Sequence, residues 1–302
     1  MLREANNYVK IEGILNEVAL NYTSYKKDGK DVQAISGVIY VRVEQTVNGQ
    51  EQTLIVPVHM FSNRLKNNGE PNPAYTSIEK VMKEFVSIAA SSYEQADRVR
   101  ITGAKISMNE YPSKTTGNIV SFPRITASFV NKVKKEELKP EATFSIEFMV
   151  ASAEYETDAE GVETGRYKVV GIVPGYNDSI NVVPFFGESE GVISAISTYW
   201  GEGDTVAAHG RLNFTTKTET VTTQSGFGDP ETRTRTINTS DLIITGGSET
   251  PLEGEMAYTT ETIQPALAAR KARLEKAKTE AKTKSAPSTT PDSRTGKIDV
   301  GF

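Results

Sequence analysis

The sequence predicts an all-β protein with one short helix per module, built as two tandem five-stranded barrels and followed by a flexible C-terminal tail. Three observations lead to this prediction. Residues 8–130 alternate apolar and polar side chains with a period of two, which is typical of strands. The same order of strands and helix returns in residues 143–245. Beyond residue 250 the chain becomes rich in Ala, Lys and Glu and too polar to form its own core.

The first module is expected to span residues 1–135. One helix is predicted around 76–91, because Ile78, Val81 and Phe85 recur at helical spacing, with Thr76 as its N-cap. Strands are predicted at 8–20, 32–45, 52–61, 98–109 and 118–130. Three strands, a helix and two further strands form the order of an OB-fold, a small Greek-key barrel.

The second module is expected to span residues 141–250, after a polar link at 133–143. It repeats the same order, with strands at 143–156, 165–174, 179–187, 204–216 and 233–245 and a helix at 189–200. Three short matches fall in equivalent places, namely KIEG with SIEF, IVPVHMF with VVPFFGE, and DRVRITGAK with DTVAAHGRL. Together they indicate an internal duplication.

The remaining residues, 251–302, are predicted to form the tail. A helix at 262–284 is expected to be solvated or to depend on a partner, because few of its residues are large and apolar. The chain then ends in KIDVGF. Its apolar side chains bury nothing in a domain of their own, so Ile298, Val300 and Phe302 are candidates for a docking peptide that binds a partner protein.

Several function classes are excluded by composition. The 302 residues contain no Cys and only two His, so thiolate chemistry is impossible and a histidine-rich metal site or Ser/His/Asp triad is improbable. No Gly-rich phosphate loop or nucleophile with a neighbouring base is present, so we expect no enzyme, no cofactor and no metal. No segment has the apolar length of a membrane span or signal peptide, which predicts a cytoplasmic protein without membrane contact.

Charge is distributed unevenly along the chain. Residues 1–140 carry 19 Lys and Arg against 15 Asp and Glu, whereas residues 141–250 carry 6 against 17. A polyanion would therefore meet the first module more favourably than the second.

The segment WGEGDTVAAHGRLNF at 200–214 resembles the fourth-strand signature of bacterial and phage single-stranded DNA-binding proteins. Together with the doubled strand order, residues 8–245 resemble a tandem OB-fold protein of the bacteriophage type. The tip PDSRTGKIDVGF departs from the acidic tip of that family and ends in Gly-Phe rather than Pro-Phe. The resemblance implies a protein that coats single-stranded DNA during DNA replication or recombination and contacts replication or recombination proteins through its tail.

Such binding needs cations for the phosphates and rings on which bases stack. In the strand at 32–45, Ile35, Ile39, Val41 and Val43 share the inward face, which leaves Tyr40 and Arg42 outward. In the strand at 118–130, Ile119, Ile125, Ala127 and Phe129 are expected inward, with Phe122 and Arg124 outward. Loops that flank the groove of an OB-fold are expected to add Tyr22, Tyr25, Lys26, Lys27, Lys30, Tyr111 and Lys114, and Arg64 and Lys66 follow the third strand.

Alternatives stay open at this point for single residues, for the second module and for the function. Tyr40 and Phe122 could simply cover the barrel, and the lysine loop could be a solvated hairpin. The acidic second module, whose loop at 153–165 would repel phosphate, is predicted to serve self-association or protein contacts, or to present an acidic surface that mimics nucleic acid. A virion or assembly protein built of two β-domains is the alternative function, and RNA is an alternative ligand.

Overall fold

A computed structural model describes the protein at residues 2–223 and 231–285. The described chain is mostly strand, as predicted, and its strands form one continuous sheet. The strands are β1 (Asn7–Lys27), β2 (Lys30–Val47), β3 (Gln50–Asn63), β4 (Arg98–Pro112), β5 (Ile119–Ala127), β6 (Asn131–Val133), β7 (Glu141–Thr157), β8 (Glu163–Pro174), β9 (Ile180–Gly187), β10 (Thr205–Thr223) and β11 (Glu231–Gly247). The α-helices are α1 (Pro73–Glu84), α2 (Glu190–Tyr199) and α3 (Thr260–Ser285).

Strand pairing closes two five-stranded circuits with the same order. In the first barrel β1 pairs with β2, β2 with β3, β3 with β5 in parallel, β5 with β4, and β4 with β1. In the second barrel β7, β8, β9, β11 and β10 repeat this circuit, again with one parallel pair. The all-β class and the predicted strand order are therefore confirmed, and the three internal matches fall on equivalent strands.

The two circuits are joined because β1 also pairs with β7. Buried Glu12 on β1 accepts two hydrogen bonds from Arg100, at 2.7 and 3.0 Å, and one from the Lys139 backbone N–H at 2.8 Å. The Arg100 hydrogen bonds hold the pKa of Glu12 below its usual range. The link between the barrels is thus fastened to the first barrel, and the division into independent domains stays a prediction.

Alternation places the core of the first barrel largely as predicted. Ile35, Ile39, Val41 and Val43 of β2 are all fully buried. Phe129 is the exception, because β5 ends at Ala127 and the chain then leaves the sheet, so that ring is 51% exposed. The prediction that Phe129 points inward is wrong.

Helix α1 begins and ends earlier than predicted. Asn72, not Thr76, is its N-cap: the Asn72 side chain accepts from the Ala74 N–H at 3.1 Å, and Pro73 occupies the first turn. The helix ends at Glu84 because the next residues turn back to the barrel, where the backbone N–H groups of Ile88 and Ala89 donate to β1 carbonyls. Helix α2 lies where it was expected, capped by Ser189.

The segment expected as a loop at 21–31 is a strand extension instead. Strands β1 and β2 continue to a two-residue turn at Asp28 and Gly29, whose positive φ angles of 51° and 75° suit a tight hairpin turn. The acidic segment at 153–165 is likewise mostly strand, because β7 and β8 extend into it. Both segments therefore project as hairpins rather than flanking the barrel as loops.

The tail helix is not an isolated, solvated helix over its first half. Ile263 is fully buried, and Ala266 and Leu267 pack against the same core. Arg270 and Arg273 both bind Glu110 of β4, whose side chain is almost fully buried, and the Arg273 pair measures 3.0 Å. The prediction of a solvated or partner-dependent helix is wrong for this half, because Ile263, Ala266 and Leu267 face the barrels.

Candidate nucleic-acid interface

A concave surface of about 650 Å³ lies on the outer face of the first barrel, and we call it the outer groove. Its floor is a row of paired residues across four strands. Val38 pairs with His59, His59 with Thr126, and Thr126 with Lys105. These positions alternate with the buried core positions of the same strands, so their side chains face outward.

Two exposed rings border the outer groove. Phe61 on β3 is 54% exposed and Phe129 after β5 is 51% exposed. Tyr25 extends the Phe61 end, since the two ring centroids lie 6.3 Å apart with the planes tilted by 44°. The Tyr25 hydroxyl donates to the Asn63 side chain at 3.0 Å, which fixes its ring on this face. Exposed, immobilised rings provide platforms on which bases can stack.

Cationic side chains line the same groove. Arg124 and Lys105 both contribute to its surface, and Lys105 is held at its rim by an ion pair with Glu4. Burial, together with the positive charge of Arg124, lowers the pKa of half-buried His59. His59 is therefore neutral at pH 7 in the free protein, where it presents a planar ring and hydrogen-bonding nitrogens.

The structure brings several of the predicted residues to this face. Tyr25 is near Phe61, and Arg124 lines the groove. The lysines of the β1–β2 hairpin, Lys26, Lys27 and Lys30, are exposed and form no ion pair among the described side chains. Arg64 follows β3 beside that hairpin and donates to Gln33 at 2.6 Å. The hairpin end of the face is thus positively charged.

A second group of predicted residues lies at the other end of the face. Tyr40 and Phe122 line a separate pocket, and Phe122 meets Tyr111 edge to face with 6.2 Å between ring centroids. Lys114 is exposed in the turn between β4 and β5. These residues lie along one outer face with the groove because Arg124, Phe122 and Tyr40 occupy alternate, outward positions of paired strands.

Other predicted residues are engaged elsewhere. Tyr22 faces α1, where its hydroxyl donates to Glu79 at 2.6 Å, and that hydrogen bond raises its pKa. Arg42 binds Glu44 at 2.7 Å, and Lys66 binds Glu70 at 3.5 Å. Ile298, Val300 and Phe302 lie outside the described residues.

Among the aromatic and basic side chains that line the outer groove, sequence reasoning missed four: His59, Phe61, Lys105 and Phe129. The alternation in β3 already carried a signal, because buried Leu54, Val56, Val58 and Met60 leave His59 and Phe61 on the outward face. The outward orientation of Lys105 could not be predicted, because β4 is irregular near Gly103. The φ of 75° at Gly103 shifts the alternation of side chains. Nothing in the sequence marked the end of β5 before Phe129.

The second barrel offers few free cations among its described side chains. Arg166 binds Glu156 at 3.2 Å and Asp241 at 3.0 Å, and Arg211 binds Glu188 at 2.6 Å. Its acidic hairpin carries Glu154, Glu156 and Asp158. Phosphates are therefore disfavoured near this hairpin.

The described residues bring no three His, Asp or Glu side chains together as a metal site. Within the same part of the chain, no helix is long and apolar enough to cross a bilayer.

One solved structure similar to this chain shares its fold, and a second match is weaker. A deletion variant of the single-stranded DNA-binding protein from Thermus aquaticus matches with a TM-score of 0.50 and 10% identity over 83% of this chain and 97% of that one. The wild-type protein from that organism matches with a TM-score of 0.49 and 10% identity, covering 86% and 99%. No curated protein is significantly similar in sequence. The family model described as YorF matches residues 5–280, and the chain therefore belongs to the YorF family.

Proposed function

We propose that this protein binds single-stranded DNA with little sequence preference, and that it coats and protects strands during DNA replication or recombination without catalysing a reaction. One observation carries the proposal: the outer groove combines the exposed rings of Phe61 and Phe129 with Arg124 and an adjoining lysine hairpin. Sequence-tolerant binding of single strands uses this combination, with bases on aromatic faces and phosphates along cations.

The shape of the surface also favours a single strand. The groove runs across β2, β3, β5 and β4, and its floor offers side chains at the spacing of neighbouring strands, about 4.8 Å apart. Nucleobases can stack on the rings that border the groove only when the bases are unpaired. The fold that the chain shares with a protein named as single-stranded DNA-binding adds support.

Two further parts of the proposal concern partners. The bacteriophage setting and the docking of replication or recombination proteins to Ile298, Val300 and Phe302 rest on the sequence resemblance. Self-association, or another protein contact, is proposed for the second barrel because its arginines Arg166 and Arg211 already bind carboxylates.

Removal of the two groove rings tests the proposal. Phe61→Ala and Phe129→Ala should each weaken binding of a ~30-nucleotide single strand by about 1–3 kcal/mol, because each substitution removes a stacking platform. Fluorescence anisotropy measures the affinity, and thermal unfolding shows whether the fold is kept. Both rings are more than half exposed, so we expect little loss of stability.

Tyr176→Ala is the matched control. Its ring is 82% exposed in a turn of the second barrel and does not line the outer groove, so its removal should leave affinity unchanged. Equal affinity of all three variants and the native protein would contradict a stacking role for the outer groove.

A further inference from the structure

A second pocket lies where the two barrels meet, and we call it the junction pocket. It has a volume of about 630 Å³. The first barrel contributes Tyr40 and Phe122, and the second barrel contributes Phe186 and Phe214. A hydrogen bond of 3.2 Å from Gln52 of β3 to Asn213 of β10 holds the barrels together beside it.

The chemistry of the junction pocket suits a flat, uncharged aromatic ligand. Its walls are mostly apolar and aromatic, and the hydroxyl groups of Thr239 and Ser240 add a few polar atoms. Pockets of this kind and size hold small organic ligands and orient them with a small number of hydrogen bonds.

A phosphate is the wrong occupant. Asp241 is an ionisable residue of the lining, and Arg166 already binds it at 3.0 Å. Arg166 also binds Glu156, and its Cζ atom lies 3.9 Å from the centroid of the Phe186 ring. The positive charge of Arg166 is therefore neutralised within the protein. The pocket therefore presents rings and hydroxyl groups without a free cation.

The junction pocket continues the outer groove. Tyr40 pairs with Pro57, and both line the pocket, while Val38 and His59 form the next outward pair and line the groove. Two residues along a strand correspond to about 6.7 Å. The junction pocket therefore lies next to Arg124 and His59, within reach of a single strand that is bound over these two residues.

We infer that the junction pocket takes one unpaired nucleobase of the bound strand, which is inserted between the aromatic residues of the two barrels. This inference rests on the proposed function and deepens it. It gives the acidic second barrel a role in DNA binding through bases, while phosphate contacts stay with the first barrel.

Photocrosslinking tests the inference on the native full-length chain. Oligonucleotides of ~30 nucleotides with a single 5-iododeoxyuridine at successive positions would be irradiated in complex, and the crosslinked peptides would be identified by mass spectrometry. We expect crosslinks to peptides of the second barrel that contain Phe186 or Phe214, in addition to peptides of the first barrel. Crosslinks confined to the first barrel would overturn the inference.

Filling the pocket provides a second test. Ser240→Trp places a large ring in the pocket and should weaken single-strand affinity about 5- to 150-fold, the range that corresponds to the loss of one stacked base. Ser194→Trp is the control, since Ser194 is exposed on α2 of the same barrel and the affinity should not change.

The outcomes separate this inference from the proposed function. If the native protein binds single strands and a folded Ser240→Trp variant binds them equally well, the inference about the junction pocket is overturned and the proposed function stands. Failure of the native protein to bind single strands would overturn both.

Discussion

At the scale of single residues, His59 is the side chain of the outer groove whose charge can change near neutral pH. It lies half-buried on the floor between Val38 and Thr126. Burial and the nearby Arg124 lower its pKa from the ordinary value of 6.5, and Lys105 lines the same groove. Arg124 and Lys105 are both cationic. A phosphate bound among these side chains would therefore change the potential at His59 from positive to negative.

We predict that single-strand affinity rises as the pH falls from about 7.5 towards 5.5. A bound phosphate raises the pKa of His59, so the complex takes up a proton, and proton uptake on binding strengthens binding at lower pH. Anisotropy titrations at constant salt measure this dependence. His59→Gln keeps a polar side chain of similar reach without the titration and should give a flatter profile; an unchanged profile would contradict the role of His59.

Much at this scale follows from sequence. The alternation of β2 predicts the burial of Ile35, Ile39, Val41 and Val43 because a strand has no freedom to face its side chains elsewhere. Phe129 and Lys105 could not be predicted in this way. Their orientation depends on where β5 ends and where β4 carries its irregularity, and tertiary packing sets both.

At the scale of elements, the β1–β2 hairpin concentrates the free positive charge beside the groove. Lys26, Lys27 and Lys30 are exposed and form no ion pair among the described side chains. Each phosphate that a cation neutralises on a single strand contributes about -0.7 to the slope of log affinity against log salt.

Replacing all three lysines by alanine should therefore reduce the magnitude of that slope by up to about 2. Stability should hardly change because the side chains are exposed. Titrations at four salt concentrations measure the slope. The variant in which Lys80, Lys134 and Lys139 are alanine carries the same change of charge elsewhere, on the first barrel and the link that follows it, and the two variants should differ clearly; identical slopes would argue against phosphate contacts at the hairpin.

Helix α3 is an integral part of the barrels at its N-terminal half. Ile263 is fully buried there, and Arg270 binds Glu110 on the β4 strand that also carries Tyr111. Ile263→Ala should destabilise the protein by about 2–4 kcal/mol through the cavity it leaves. Urea unfolding measures the change, with exposed Ala269→Ser as the control; a loss below about 0.5 kcal/mol would show that the helix is only loosely attached.

Elements were predictable to different degrees. Periodicity found every strand of both barrels, because strong alternation has few other solutions. The start of α1 was not predicted correctly, because its N-cap is the Asn72 side chain, which lies in a turn before the periodic segment. The packing of α3 against the barrels could not be predicted. Three apolar residues in a polar helix indicate a buried face only when the surface that they contact is known.

At the scale of the whole molecule, two barrels of the same topology carry opposite surface chemistry. The first barrel presents rings and unpaired cations along one face, whereas Arg166 and Arg211 of the second barrel are bound by carboxylates. Pairing of β1 with β7 and the junction pocket make the two faces continuous. We therefore propose that the first barrel binds the phosphates and that both barrels contact bases.

The most direct measurement is the affinity of the native chain for a labelled ~30-nucleotide single strand at several salt concentrations, with duplex DNA and the matching RNA as competitors. We predict tight binding that weakens as salt rises and that duplex DNA does not displace. Displacement by the RNA would identify RNA as a ligand of the same groove. Absence of binding at low salt, or binding that salt does not affect, would contradict the account and favour an assembly protein built of two β-barrels.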